Sequence, residues 1–110
     1  MTAPDPPVLT AGDRAAAGRA ALAARRRRAD VKRRVRSGYL SCSQVIEIAF
    51  TDTEEGRACA RMTIGDLLLS LPGIGPAIAD RELVGLGING DRRLRALGER
   101  QREALRQVFW

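Results

Sequence analysis

The segment 71–76, Leu-Pro-Gly-Ile-Gly-Pro, limits most strongly what the surrounding chain can fold into, because an apolar helical pattern lies on each side of it. Two glycines around one aliphatic residue predict a tight turn that uses positive φ, so a β-branched residue at Gly75 should not be tolerated. Pro76 suits the first position of the next helix. Amides that converge ahead of a helix form an anion site made of backbone, which suits phosphate.

Helical patterns also fill the first half of the chain. Thr10 with Asp13 three residues later predicts an N-cap, and Ala, Arg and Leu dominate the next 25 or so residues, so we expect one long basic helix over 10–37. Ser41 with Gln44 predicts a second helix over 41–51, with Val45, Ile46, Ala49 and Phe50 facing inward. The segment 52–62 is ambiguous between an acidic turn and a single helical turn around Gly56. Its net negative charge argues against contact with phosphate.

The second half predicts four short helices. Thr63 with Asp66 opens a helix that runs to Ser70, and a further helix covers 76–86 after the turn. Asp91 is expected to cap a third over 92–97, and the last covers 99–109 with Leu105, Val108 and Phe109 inward. Because no stretch alternates with period two, the predicted fold class is all-α, with a long basic N-terminal helix packed on a compact helical domain.

The length of 110 residues predicts one folded domain. Pro4, Pro6 and Pro7 oppose helix formation, so residues 1–9 are expected to be a disordered tail. Residues 10–110 then form a single helical domain, and 63–109 form the module around the turn.

The charge is basic and unevenly distributed. The chain has 19 basic and 13 acidic residues, no histidine, and a formal charge of +6. Residues 1–40 hold ten basic and three acidic residues, which favours a polyanionic partner such as nucleic acid. All basic residues except Lys32 are arginines, whose forked guanidinium suits phosphate.

A helical wheel separates two faces of the first helix. Its apolar side holds only alanines early and two valines late, so the C-terminal half should dock on the core while the N-terminal half projects as a basic arm. The apolar side contains Ala17, Ala20, Ala24, Val31 and Val35, and the basic stripe contains Arg14, Arg25, Arg28, Lys32 and Arg36. A solvated charged face is the alternative, but the scarcity of compensating acids favours binding.

The order of these parts resembles a known family. The turn followed by Pro76-Ala77-Ile78-Ala79 is similar to a helix-hairpin-helix motif. Together with the basic first helix, Leu86-Gly87-Ile88 and Arg92-Arg93-Leu94-Arg95-Ala96-Leu97-Gly98, it resembles the actinobacterial integration host factor family over about residues 20–109. The resemblance implies a monomeric nucleoid protein of the cytoplasm that binds duplex DNA with little sequence preference, bends it and compacts the chromosome through a helix-two-turns-helix module.

The resemblance also implies site residues. Gly73, Ile74 and Gly75 of the hairpin would meet phosphate, together with Arg92, Arg93 and Arg95. The first helix would add a second contact, which we assign to Arg25, Arg28, Lys32, Arg33 and Arg36. Arg92 and Arg95 lie three apart and would share a helical face; the alternative is that some of these arginines only cover apolar surface. Ala77, Ile78 and Asp80 stand where such motifs often carry basic residues.

An enzymatic function is less favoured. A Schiff-base lyase needs a desolvated amine, whereas Lys32 lies among arginines. Asp52, Glu54 and Glu55 do not share a helical face that could hold Mg²⁺. Cys42 and Cys59 are expected to be reduced thiols, with no metal and no cofactor. An RNA-binding, ribosome-associated protein and a DNA-repair accessory protein that use the same hairpin stay open as alternatives.

Overall fold

The computed structural model describes residues 8–109, so Trp110 and all of the expected tail except its last two residues lie outside the described part. The elements are α1 (Ala11–Arg36), α2 (Cys42–Ala49), α3 (Glu54–Ala60), α4 (Ile64–Ser70), α5 (Pro76–Leu86), a 3₁₀ turn (Leu94–Ala96) and α6 (Glu99–Val108). Within residues 8–109 no strand forms, and the all-α fold class is confirmed.

The long helix α1 begins at the predicted cap. The Asp13 amide donates to the Thr10 hydroxyl and the Thr10 amide donates to the Asp13 carboxylate, each at 3.0 Å. The bond that the Thr10 amide donates to the Asp13 carboxylate, with a smaller contribution from the Thr10 side chain, holds the pKa of this carboxyl below its usual value. Thr10 therefore fixes where the helix starts.

Only the second half of α1 is buried against the rest of the protein. Residues 11–23 are all exposed, Ala24 is half-buried, and Val31 and Val35 are fully buried. Alanine offers too little apolar area to hold a helix on a core, whereas valine offers enough. The predicted docking of the C-terminal half and projection of the N-terminal half are confirmed.

The core lies where α1, α2, α3 and α4 meet and is closed by α6. Its fully buried larger side chains are Val31, Val35, Cys42, Val45, Cys59, Met62, Ile64, Leu67, Leu68, Leu94 and Leu105. Cys42 and Cys59 are therefore core residues, both as free thiols. The segment 52–62 folds as α3 between Thr53, which caps it by accepting from the Gly56 amide, and Arg61.

Two inward assignments are wrong. Phe50 is 45% exposed, because α2 ends at Ala49 and the following residue leaves the helical wheel. The Phe50 ring instead forms a cation–π contact with the guanidinium of Arg102, whose Cζ lies 4.1 Å from the ring centroid. Val108 is 44% exposed at the end of α6, whereas Leu105 and Phe109 are buried as expected.

The start of α4 is paired with the segment 90–94 by backbone hydrogen bonds. The Ile64 amide donates to the Arg92 carbonyl and the Gly65 amide to the Gly90 carbonyl, both at 2.9 Å. The Leu94 amide donates to the Met62 carbonyl at 2.9 Å. The first two carbonyls satisfy amides that a helix start leaves without partners. Together the three bonds hold the arginine segment 92–95 beside the end of α3.

Candidate nucleic-acid interface

The hairpin between α4 and α5 is tight, and one of its two glycines has positive φ. Gly73 has φ +75°, whereas Gly75 has φ −93° and ψ 176°, an extended conformation open to any residue. The expectation that Gly75 needs positive φ is therefore wrong, because the chain has already turned at Gly73. Gly75 is the N-cap of α5 and provides no capping side chain, so the first amides of α5 stay available to an anion.

The predicted third short helix over 92–97 is wrong. Only the 3₁₀ turn Leu94–Ala96 forms, and Arg93 before it is extended and paired with Thr63. Asp91 does not cap it; the Asp91 amide instead donates to the Asn89 side chain at 2.9 Å. The pairing of this segment with α4 keeps its first residues extended. Arg92 and Arg95 therefore do not share a helical face.

The three arginines of this segment have different surroundings. The Arg92 Nε donates to the Ala96 carbonyl at 2.9 Å, so this side chain folds over its own turn. The Arg93 Nη1 donates to the Arg61 carbonyl at 2.6 Å, which holds this guanidinium at the end of α3. Arg95 borders the same recess as Arg93. The structure thus separates Arg92 from Arg93 and Arg95.

Four arginines line one recess, which we call the arginine recess: Arg28, Arg61, Arg93 and Arg95. Its volume is about 270 Å³, and no other described residue lines it. Arg28 comes from α1, Arg61 ends α3, and the other two flank the start of the 3₁₀ turn. The recess therefore joins the basic helix to the C-terminal module.

Arg61 is the site residue that the sequence prediction missed. The net negative charge of 52–62 hid it, yet each acid of that segment has a partner. Asp52 pairs with Arg57 at 3.0 Å, Glu54 with Arg27, and Glu55 with Arg34 at 3.7 Å. No ion pair is formed by Arg61 within residues 8–109. The sequence feature that could have identified Arg61 is its position just after these acids, one helical turn from Arg57.

Only some of the predicted contact residues of α1 are free of ion pairs with acidic side chains. Lys32 lies 3.5 Å from Asp66 and Arg33 lies 3.3 Å from Asp30, so both charges are partly offset. Arg25 and Arg36 are exposed and form no ion pair with a described residue. Arg28 and Lys32 are half-buried, and Arg28, which forms no ion pair with a described residue, borders the arginine recess. Three of the five predicted residues therefore contribute uncompensated charge.

The cleft between α4 and α5 has the opposite character. Asp66, Asp80 and Asp91 all lie along it, so it presents acids rather than arginines. A phosphate would be repelled there. This cleft is therefore unsuited to an anion, whereas the arginine recess is lined by positive side chains alone.

Metal ligands and membrane-spanning helices are both lacking in the described part of the chain. Over residues 8–109, no cluster of three or more histidine, cysteine, aspartate or glutamate side chains is arranged to hold a metal ion. None of the helices in this range is both long enough and apolar enough to cross a membrane.

Comparison with known proteins gives consistent matches. Residues 33–109 match the S13-like H2TH domain family. Over 103 residues the chain is 42% identical to an integration host factor of Mycolicibacterium smegmatis, covering 94% of each chain. It is 41% identical to one of Mycobacterium tuberculosis, covering 94% of each, and 40% identical to one of Streptomyces coelicolor, covering 94% of this chain and 92% of that one.

A solved structure is also similar. It is described as sIHF bound to an 8bp palindromic DNA, and it superposes with a TM-score of 0.72 at 37% identity. The match covers 82% of this chain and 97% of that one.

Proposed function

Because this chain belongs to the actinobacterial integration host factor family, we propose that it binds duplex DNA with little sequence preference, bends it and organises the chromosome in the nucleoid. The observation that carries this proposal is the surface formed by Arg28, Arg61, Arg93 and Arg95, whose charges have no acid partner within the described residues. A similar fold is held by a protein whose structure contains DNA.

The proposed contacts fall on the DNA backbone. The first amides of α5, behind Gly73, Ile74 and Gly75, are suited to receive one phosphate as a helix start does. Arg93 and Arg95 of the recess supply charge on the same module, and Arg28 and Arg61 add charge from α1 and the end of α3. Contacts of this kind fix position without reading bases, which supports binding with little sequence preference.

The projecting half of α1 is proposed as the second contact. The helix has 26 residues, which corresponds to about 39 Å, and its residues 11–23 are all exposed. Arg25 offers uncompensated charge just after this exposed stretch, and Arg36 offers it at the docked end of α1. DNA that meets both the hairpin and this arm must follow two surfaces, and bending it lets more phosphates be reached.

The function proposed is binding rather than catalysis. The recess contains only guanidinium groups, which donate hydrogen bonds and accept none, so it is suited to holding an anion. We expect a monomer when DNA is absent.

The test is a salt-titrated binding series on several unrelated duplexes. If about six phosphates are neutralised, log K falls with log salt with a slope of about −5, equally for all duplexes. The variant Arg25→Gln with Arg36→Gln should flatten the slope by up to about 2 without lowering Tm. The matched control Arg33→Gln, whose charge is shared with Asp30, should change it less.

Duplex RNA of matched sequence is the competitor that decides the nature of the partner. We expect it to displace DNA weakly. A clear preference for duplex RNA would overturn the proposal in favour of an RNA-binding role, and straight DNA in energy-transfer measurements would remove the bending.

A further inference from the structure

We propose that the arginine recess is a binding site for a single phosphate group, and that an occupied recess ties α1 to the C-terminal module. If the phosphate belongs to DNA, this inference rests on the proposed function and deepens it. If the phosphate is a free inorganic ion, the inference is independent of the proposed function. Four observations carry it.

The first observation is the composition of the recess. All four lining residues, Arg28, Arg61, Arg93 and Arg95, are positively charged, and no acid faces them from the lining. Like charges brought around one cavity repel each other. An arrangement of this kind is stabilised when an anion occupies the space between them.

The second observation is an unsatisfied donor. The Arg28 Nη1 is buried and has no hydrogen-bond partner among the described residues. A buried donor without a partner costs free energy, and charged donors cost more than neutral ones. Because Arg28 lines the recess, a phosphate bound there would offer this guanidinium an acceptor once the Nη1 turns toward the opening.

The third observation is size. A recess of about 270 Å³ lies below the range of roughly 300–1,000 Å³ that holds drug-sized ligands. With about 30 Å³ for each water, it accommodates a phosphate group with a few waters. Because all of its lining residues are arginines, the recess has the character of an anion site rather than of an apolar pocket.

The fourth observation is that the recess is held in place. The hydrogen bond from the Arg93 Nη1 to the Arg61 carbonyl fixes one guanidinium at the wall. The bridge between Thr63 and Arg93 fixes the backbone that carries it. Guanidinium groups held in advance lose less entropy when they bind an anion.

Occupancy should have a structural consequence. The lining residues lie on α1, at the end of α3 and on either side of residue 94, so a bound phosphate would bridge segments that are far apart in sequence. A ligand that binds only the folded protein raises its stability according to its concentration and affinity. The free protein should therefore be stabilised by phosphate beyond any general effect of salt.

The experiment is thermal unfolding of the full chain in sodium phosphate and in sodium chloride at equal ionic strength and pH. We expect phosphate at ten times its Kd to raise Tm by on the order of 5 °C above chloride, with one phosphate bound per chain by calorimetry. Arg61→Gln should abolish this difference in Tm. Arg61→Lys should retain part of the difference, because lysine keeps the positive charge but lacks the forked donor geometry of the guanidinium.

The matched control is Arg57→Gln. Arg57 lies one helical turn before Arg61, is exposed, and pairs with Asp52, so its loss should leave the phosphate effect unchanged. Arg95→Gln provides a second recess variant, should Arg61→Gln destabilise the fold by itself. Equal phosphate effects in all these variants, or no effect beyond chloride in the unmodified protein, would overturn the inference.

A competition experiment with duplex DNA shows whether the bound phosphate belongs to DNA, separately from whether the site exists. If a DNA phosphate occupies the recess, inorganic phosphate competes with a short duplex at constant ionic strength, and Arg61→Gln weakens duplex binding. If the recess takes free phosphate alone, duplex affinity is the same with and without saturating phosphate. Duplex binding without any phosphate effect on Tm, and without any effect of Arg61→Gln, would refute the recess and leave the proposed function intact.

Discussion

Arg93 donates a hydrogen bond of 2.6 Å from its Nη1 to the carbonyl oxygen of Arg61, 32 positions earlier in the chain. This bond fastens the segment before the 3₁₀ turn to the end of α3. The neighbouring Arg92 is held differently, by a 2.9 Å bond from its Nε to the Ala96 carbonyl of its own turn. Two adjacent arginines of identical charge are therefore directed to different places.

The variants Arg93→Ala and Arg92→Ala should accordingly differ in DNA binding. We expect Arg93→Ala to cost roughly 1.5 kcal/mol of binding, about tenfold in Kd, equally for unrelated duplexes, and to flatten the salt slope by about 1. Arg92→Ala should lose less, because Arg92 does not line the arginine recess. Salt-titrated anisotropy measures both. Equal losses, or losses that depend on sequence, would contradict this assignment.

Gly73 is the hairpin position that should reject a side chain. Its φ of +75° is costly for residues with a Cβ, and most costly for β-branched ones, so Gly73→Val should lower the free energy of unfolding by about 1–3 kcal/mol. Gly73→Asn is the matched control, since asparagine enters this region more readily. No atom lies within 4 Å of a Cβ added at Gly73, so the cost is backbone strain rather than a clash.

Gly75→Ala should be tolerated by the same measurement of denaturant unfolding. Its φ of −93° suits any residue, and a Cβ there meets no atom within 4 Å. A loss of stability in Gly75→Ala similar to that in Gly73→Val would show that Gly73 is not the residue that turns the chain.

Gly65 and Gly85 form a pair with opposite expected effects. A Cβ at Gly65 would lie 2.9 Å from the Gly90 carbonyl oxygen, so Gly65→Ala should force apart the pairing of α4 with 90–94 and cost about 1–3 kcal/mol. Gly85 is inside α5 with nothing within 4 Å, so Gly85→Ala should raise stability by about 0.5–1 kcal/mol. Chemical denaturation distinguishes the two, and a stabilising Gly65→Ala would contradict the close approach.

The two core thiols should be unreactive in the folded protein. Burial raises the pKa of Cys42 to about 12. Burial, with a smaller contribution from Glu55 and an opposing one from Arg28, raises the pKa of Cys59 to about 11. At pH 8.5 alkylation by iodoacetamide should be slower than in denaturant by on the order of a hundredfold or more, because the thiolate is the reactive form. Native-state labelling at the denatured rate would contradict this.

The same pKa shifts predict that the free energy of unfolding falls as the pH rises above about 9. A thiol whose pKa is raised by folding stabilises the protein fully below the unfolded pKa of about 9, and this contribution is lost as pH rises toward 11 and 12. Cys59→Ala should reduce the alkaline part of the loss measured by thermal unfolding between about pH 8 and 11.

Features that depend on neighbouring residues were predicted well from the sequence. The caps at Thr10 and Ser41 formed with Asp13 and Gln44 as partners, and the Thr63 hydroxyl accepts from the Asp66 amide, since each involves residues three apart. The docking of α1 was also predictable, because valines appear only in its second half. The hairpin was predicted from its glycines and prolines, although the glycine with positive φ is Gly73 and not Gly75.

The site could be predicted only in part. Arg28, Arg93 and Arg95 were identified as candidates, but nothing in the sequence places them together or adds Arg61 to them. The expected helix over 92–97 failed because backbone pairing with α4 overrides the local helical preference of that segment.

The sequence alone determined α1, α2, α4, α5 and α6, the caps at Thr10, Ser41 and Thr63, the tight turn and the surplus of arginine, because these depend on residues within one or two helical turns of each other. Only the tertiary structure decided which arginines keep an uncompensated charge. Asp52, Glu54 and Glu55 neutralise arginines through contacts set by the packing of α1 on α3 and by the α2–α3 turn. The recess is the place where four such arginines, Arg28, Arg61, Arg93 and Arg95, come together, because electrostatic interaction depends on distance in space rather than in sequence.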